Sequence, residues 1–300
     1  GLDEGQWAFD IWEREEGDDR VQRDHLYSRN NGIINGAKSA DQHYTGGEGA
    51  EFSWGPTIEP KEKTKDYLTS LWFADMLKKD WDKPFFMAVG LSKPHLPWYV
   101  PQEFFDLYQL DTVKIPHYRL DDLDDILTPQ GKRKFDPTDD FLWCSQNEHL
   151  FKAAVRAYMA SVSYADACIG IILDALNKSE YAKNTIVIIW GDHGWHLGEK
   201  LRFRKTTLWT ESTKLPLIIK TPEMRQKAVC NRTVNLIDLY PTLIDLCGLP
   251  KRDVLDGRSF APLLRNPEEK WPYPSITIKE EGSYSINDED WRYTYYADGT

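Results

Sequence analysis

An Asp–His pair bracketed by glycines, Gly191-Asp192-His193-Gly194, follows directly on the uncharged, β-branched run Thr185-Ile186-Val187-Ile188-Ile189-Trp190. Aspartate offers a hard oxygen and histidine a nitrogen, a combination able to hold a divalent cation. Glycines on either side let the backbone approach a ligand closely. A tight turn in which Asp192 caps a helix and His193 packs on Trp195 would use the same residues, and the local sequence leaves both readings open. Downstream, Lys200, Arg202, Arg204 and Lys205 set four cations in six residues with no acid among them. In a chain of net charge −11, such a cluster suits an anionic substrate group beside a metal. A solvated charged loop is the alternative.

A second constellation, Gly90-Leu91-Ser92-Lys93-Pro94-His95-Leu96-Pro97, follows another apolar run. Two prolines stiffen the loop around His95, which suits a group that presents a proton or hydrogen bond at a fixed point. A lone loop histidine is more often structural. His25, His43, His117 and His149 have no evident partner, and His196 is only a weak candidate for a substrate contact.

These loops need a scaffold. Phe85-Phe86-Met87-Ala88-Val89-Gly90-Leu91 reads as a strand buried on both faces, as in a parallel sheet. Thr185–Trp190 is the clearest strand and Leu215–Lys220 a third, with Pro216 near its start. Helical spacing runs from Pro60 to Trp81, from Asn147 to Asn177 and from Leu236 to Cys247, where Pro241 should kink or restart the helix. The long middle helix carries a stripe from Val155 through Val162 and Ile169 to Leu176. Ligands of open α/β sheets bind beyond the carboxyl ends of the strands, where both constellations would lie. The first 60 residues, with Trp7, Phe9, Trp12 and Trp54, show no period and read as long loops. Ser275–Lys279, Tyr284–Ile286 and Trp291–Tyr296 read as antiparallel strands of a smaller unit. The division expected is 1–265 for the main α/β domain and 266–300 for the start of a second subdomain.

Composition removes several classes. The 300 residues are 41% hydrophobic and 28% charged, enough to bury a core. The acidic balance opposes a general nucleic-acid binder, and no apolar run is expected to approach the roughly 18 residues of a membrane span. Cys144, Cys168, Cys230 and Cys247 lack metal-finger spacing; Cys168 and Cys247 read as small buried side chains. Asp121, Asp122, Asp124 and Asp125 read as a solvated loop. Asn177 and Asn231 head N-x-S/T triplets that matter only in a eukaryotic secretory pathway.

Three segments together resemble the sulfatases of the alkaline-phosphatase superfamily, most closely the iduronate-2-sulfatase-like and choline-sulfatase-like branch. They are Pro84–Pro97, Gly191–Lys205 and Leu236-Ile237-Asp238-Leu239-Tyr240-Pro241-Thr242-Leu243, and the resemblance runs from about Phe52 to the C-terminus. It implies an alkaline-phosphatase-like α/β fold, a mostly parallel sheet flanked by helices with a smaller antiparallel C-terminal subdomain. It also implies hydrolysis of sulfate monoesters, with Asp192 and His193 as ligands of one calcium ion (Ca2+). Lys205 would contact the sulfate and bridging oxygen, and His95 would assist at the ester; Glu199 and Arg204 match no role.

The family's nucleophile is a formylglycine made from Cys or Ser in a Cys/Ser-x-Pro/Ala-x-Arg motif preceded by an Asp-Asp pair. None of the four cysteines is followed by that pattern, and Asp18-Asp19, Asp121-Asp122, Asp124-Asp125 and Asp139-Asp140 do not follow a buried strand. The chain is therefore expected to be an internal, inactive fragment, with a sulfated small molecule or carbohydrate as partner of the whole enzyme. A periplasmic, secreted or lysosomal location rests on the resemblance alone. A phosphoesterase or phosphonate hydrolase of the same fold, and a non-catalytic sugar-binding relative, are the alternatives.

Overall fold

A computed structural model describes residues 52–57 and 60–300. The loop expectation for the first 60 residues therefore lies largely outside the described residues, as do His25, His43 and Asp18-Asp19. Trp54 is described, and it is no loop residue. It opens β1 (Trp54–Pro56), which pairs in parallel with β2 (Trp98–Val100). Trp54 and Trp98 are 1% and 0% exposed. Neither three-residue strand has enough length to show a period, so tertiary pairing and aromatic burial create them.

Helix α1 (Lys65–Met76) follows a short 3-10 turn, and α2 (Gln102–Asp106) and α3 (Asp139–Cys144) are brief. The central element is α4 (Glu148–Lys178), whose Asn147 cap accepts from the His149 N–H at 2.8 Å. Its expected stripe is only partly inward. Ala154, Ala157, Ala160, Tyr164 and Cys168 face the main core with Val155, whereas Val162 is 43% exposed. By length and composition α4 could cross a bilayer, because a window with few charges passes where an uninterrupted run does not. Its packing against the β2 and α1 side chains in two buried clusters is that of a core helix.

Strand β3 (Val187–Trp190) leads into the Asp–His pair. Then come β4 (His196–Leu197), β5 (Phe203–Arg204), the single turn α5 (Thr210–Thr213) and β6 (Leu217–Lys220). β3 pairs antiparallel with β6, and β4 with β5, so among the described residues the parallel arrangement expected of the sheet is confined to β1–β2. Helix α6 (Leu239–Leu246) continues a 3-10 turn at Leu236–Asp238, so the chain restarts just before Pro241. Cys247, read as buried, is exposed at the end of α6, whereas Cys168 is buried. After α7 (Ala261–Arg265), β7 (Ser275–Glu280), β8 (Ser283–Asn287) and β9 (Arg292–Tyr295) form the expected antiparallel meander. Arg292 fastens it to the main body by donating to the Leu208 carbonyl (2.6 Å) and the Thr213 hydroxyl (2.9 Å).

The expected strand 85–91 differs. It forms no strand or ladder among the described residues, and Phe86 is 67% exposed. With β3, α4 and α6 it borders a groove of about 2360 Å³ lined by apolar side chains such as Phe85, Met87, Ile172 and Leu243. A run apolar on both faces specifies a strand only when neighbours supply hydrogen bonds and cover.

Candidate active site

His95 lies in the turn between segment 85–91 and β2. The turn is closed by the His95 N–H donating to the Ser92 carbonyl (2.9 Å) and by Trp98 Nε1 donating to the Pro94 carbonyl (2.9 Å). The Lys93–Pro94 and Leu96–Pro97 peptide bonds are both cis. His95 Nδ1 stands 2.7 Å from the Leu96 carbonyl, which can only accept. Nδ1 therefore carries the proton, and Nε2 accepts from Lys205 Nζ at 2.7 Å. Burial, foremost, and the charge of Lys205 hold the imidazole below the ordinary histidine value, while its bond to Leu96 works the other way.

The Asp–His pair leaves β3 at the same place. The His95 and His193 rings are 6.3 Å apart, and Trp195 lies 5.7 Å from one and 6.1 Å from the other. Lys205 Nζ stands 5.2 Å from the Trp195 ring centre, a cation–π distance. His193 Nδ1 donates to the Gly194 carbonyl at 2.8 Å. Its Nε2 is therefore the unprotonated nitrogen, the tautomer that a metal at Nε2 requires. Asp192, 86% exposed at its side chain, sets Oδ1 3.8 Å from that nitrogen. One carboxylate and one imidazole so disposed fit two ligands of a divalent cation. Among the described residues no group of three or more His, Cys, Asp or Glu side chains could complete the set.

The hairpin β4–β5 carries Lys205 to this point. Gly198 has φ +123°, and a Cβ there would come within 2.5 Å of the Phe151 ring on α4. Lys200, Leu201, Arg204 and Thr206 all have positive φ, so left-handed backbone is concentrated on both sides of Lys205. Gly194 is needed for a close approach rather than an unusual φ: a Cβ would lie 2.1 Å from the Glu211 carbonyl oxygen.

The four-cation cluster does not act as a unit. Lys200 pairs with Asp122 at 3.0 Å, and Arg202 stacks 4.9 Å over Trp209. Arg204 Nε meets Asp140 Oδ2 at 2.6 Å with both side chains largely buried. Lys205 meets His95. The acidic loop thus has a specific role as well as exposure, because Asp122 anchors the hairpin. Glu199 accepts the Leu197 N–H at 2.8 Å, a structural contact that the motif did not disclose. His196 is wholly buried, its Nε2 2.8 Å from Thr207 Oγ1. It braces the hairpin from the interior. Nothing local in the sequence points to the roles of Asp140 and Asp122, whereas Trp195 lies where its place beside the Asp–His pair suggests, next to the His193 ring.

The profile of the sulfatase family matches residues 4–249, so the likeness begins well before Phe52, where the resemblance was expected to start. A curated sulfatase of Formosa agariphila is 36% identical over 248 residues, 82% of this chain and 49% of that protein. Iduronate 2-sulfatase of Mus musculus is 32% identical over 235 residues, 65% of this chain and 40% of that protein. The chain spans about half the length of the curated relatives it matches. Among solved structures, the phosphonate monoester hydrolase of Silicibacter pomeroyi superposes with a TM-score of 0.70 at 21% identity, covering 95% of this chain and 61% of that one. That likeness concerns the fold, and it agrees with the α/β class expected. With a family match over most of its length and His95, His193 and Lys205 gathered at one place, this chain belongs to the sulfatase family.

Proposed function

We propose that the chain supplies one half of the active site of an enzyme that hydrolyses sulfate monoesters of sugars. The observation that carries this reading is the meeting of Lys205 with His95 beside His193, from loops about a hundred residues apart. The sugar is supported by the name of the iduronate relative. Lys205 directs its ammonium at the sulfate and bridging oxygens, where negative charge grows as the S–O bond breaks. His95, with Nδ1 held by Leu96, presents Nε2 to the leaving oxygen and delivers a proton there once it has taken one up. Trp195 excludes water from one side of both groups.

Asp192 and His193 would hold calcium, which when bound supplies positive charge against the sulfate oxygens. The nucleophile, a formylglycine hydrate, would come from a segment outside these 300 residues, since no cysteine here lies in the required motif. The 300-residue chain alone is then inactive. By family, the enzyme is periplasmic, secreted or lysosomal.

The test is a longer protein that joins these residues to the motif segment, assayed on 4-nitrocatechol sulfate and on a phenylphosphonate monoester. Preferential turnover of the sulfate is expected. Preferential turnover of the phosphonate would replace the reading, and turnover of neither would leave the non-catalytic alternative.

A further inference from the structure

We propose that Lys93 is a positioning residue which, with Asp66, clamps the 93–97 turn so that His95 presents Nε2 to Lys205. Asp66 sits in the first turn of α1 and is 4% exposed. Its two oxygens accept the N–H groups of Ser92 (2.9 Å) and Lys93 (2.8 Å), fixing the entry to the turn. The Lys93 ammonium folds over the same turn and donates to the carbonyls of His95 (3.4 Å) and Pro97, fixing its exit. The Leu96 carbonyl, which receives His95 Nδ1–H, lies between those two carbonyls. One residue thereby sets both the peptide plane of His95 and the acceptor that selects its tautomer.

A withdrawn ammonium is costly without partners. Burial pushes the Lys93 ammonium down to about 8, against the opposing pull of Asp66. A side chain needed only for volume would carry no charge here. Methionine would fill much of the same space without donating to either carbonyl.

The catalytic consequence rests on the proposed function, but the geometric claim does not, so its test reads no turnover. Imidazole 15N spectra of the 300-residue chain should show His95 as the Nδ1–H tautomer. In Lys93→Met, the backbone amide spectrum remote from the turn should persist while the Nδ1–H signature is lost or mixed; Lys93→Arg should restore it in part. An unchanged His95 signature in a folded Lys93→Met chain would overturn the proposal. Should that variant not fold, the unmutated chain decides through its lysine 15Nζ spectrum. Slow proton exchange at Lys93 is expected, and exchange as fast as that of solvent-facing Lys78 overturns it.

Discussion

Lys205 Nζ and His95 Nε2 stand 2.7 Å apart although 110 residues separate them in the chain. An ammonium donating to an imidazole keeps that imidazole neutral and aimed, so the two groups should behave as one device. In the longer enzyme Lys205→Ala should lower kcat by about 10²–10³-fold, as loss of an oxyanion donor does. His95→Ala should cost about 10²–10⁴-fold, and less with a leaving group that needs no proton. The double variant should be little worse than the poorer single one. Steady-state kinetics on a series of aryl sulfates reads all three, and strictly multiplicative losses would show that the groups act separately.

His196 makes the fold sensitive to acid. Burial pushes it down to about 4, below the ordinary histidine value of about 6.5. Its folded pKa is the lower one, so the unfolded chain binds the extra proton first. Stability then falls as pH drops from about 6.5 towards 4, by at most roughly 3–4 kcal/mol at 1.4 kcal/mol per unit. Urea midpoints across that range should decline in the native chain and decline less in His196→Gln. Parallel curves for the two would assign the acid sensitivity elsewhere.

Two glycines should resist replacement. Gly198→Ala meets the Phe151 ring at 2.5 Å and a φ of +123°, an expected loss of about 2–4 kcal/mol. Gly194→Ala is blocked by backbone, the Glu211 carbonyl at 2.1 Å, and should move His193 as well as destabilise. Thermal melts and the His193 ring resonances report the two effects.

The ion pair of Arg204 with Asp140 holds the residue before Lys205. Asp140→Ala removes the carboxylate that faces a largely buried guanidinium and should cost about 3 kcal/mol or more. Removing both partners should cost less than the sum of the single losses, as a double-mutant cycle in urea will measure.

Calcium binding should depend on Asp192. In the longer protein Asp192→Asn should weaken calcium binding by about tenfold or more, since a charged oxygen ligand becomes neutral. Isothermal titration measures this directly, and equal affinity in the two proteins would remove Asp192 from the ligand set.

Local chemistry alone made several features legible. The Asp–His turn after β3, the stiff loop of His95, the long helix α4 and the C-terminal meander each depend on neighbouring residues, through β-branching, proline, helical spacing or alternation. Distance in the chain hid the rest. Neither the Trp54 strand nor the fate of the run 85–91 is encoded nearby, because a strand exists only through a partner. The same holds for the four cations: sequence made them one cluster, but Asp122, Trp209 and Asp140 arrive from elsewhere and withdraw three of them. Residue types and short spacings fixed which groups could react. Tertiary structure alone decided which would meet, since ion pairing and burial act over a few ångströms of space regardless of separation along the chain.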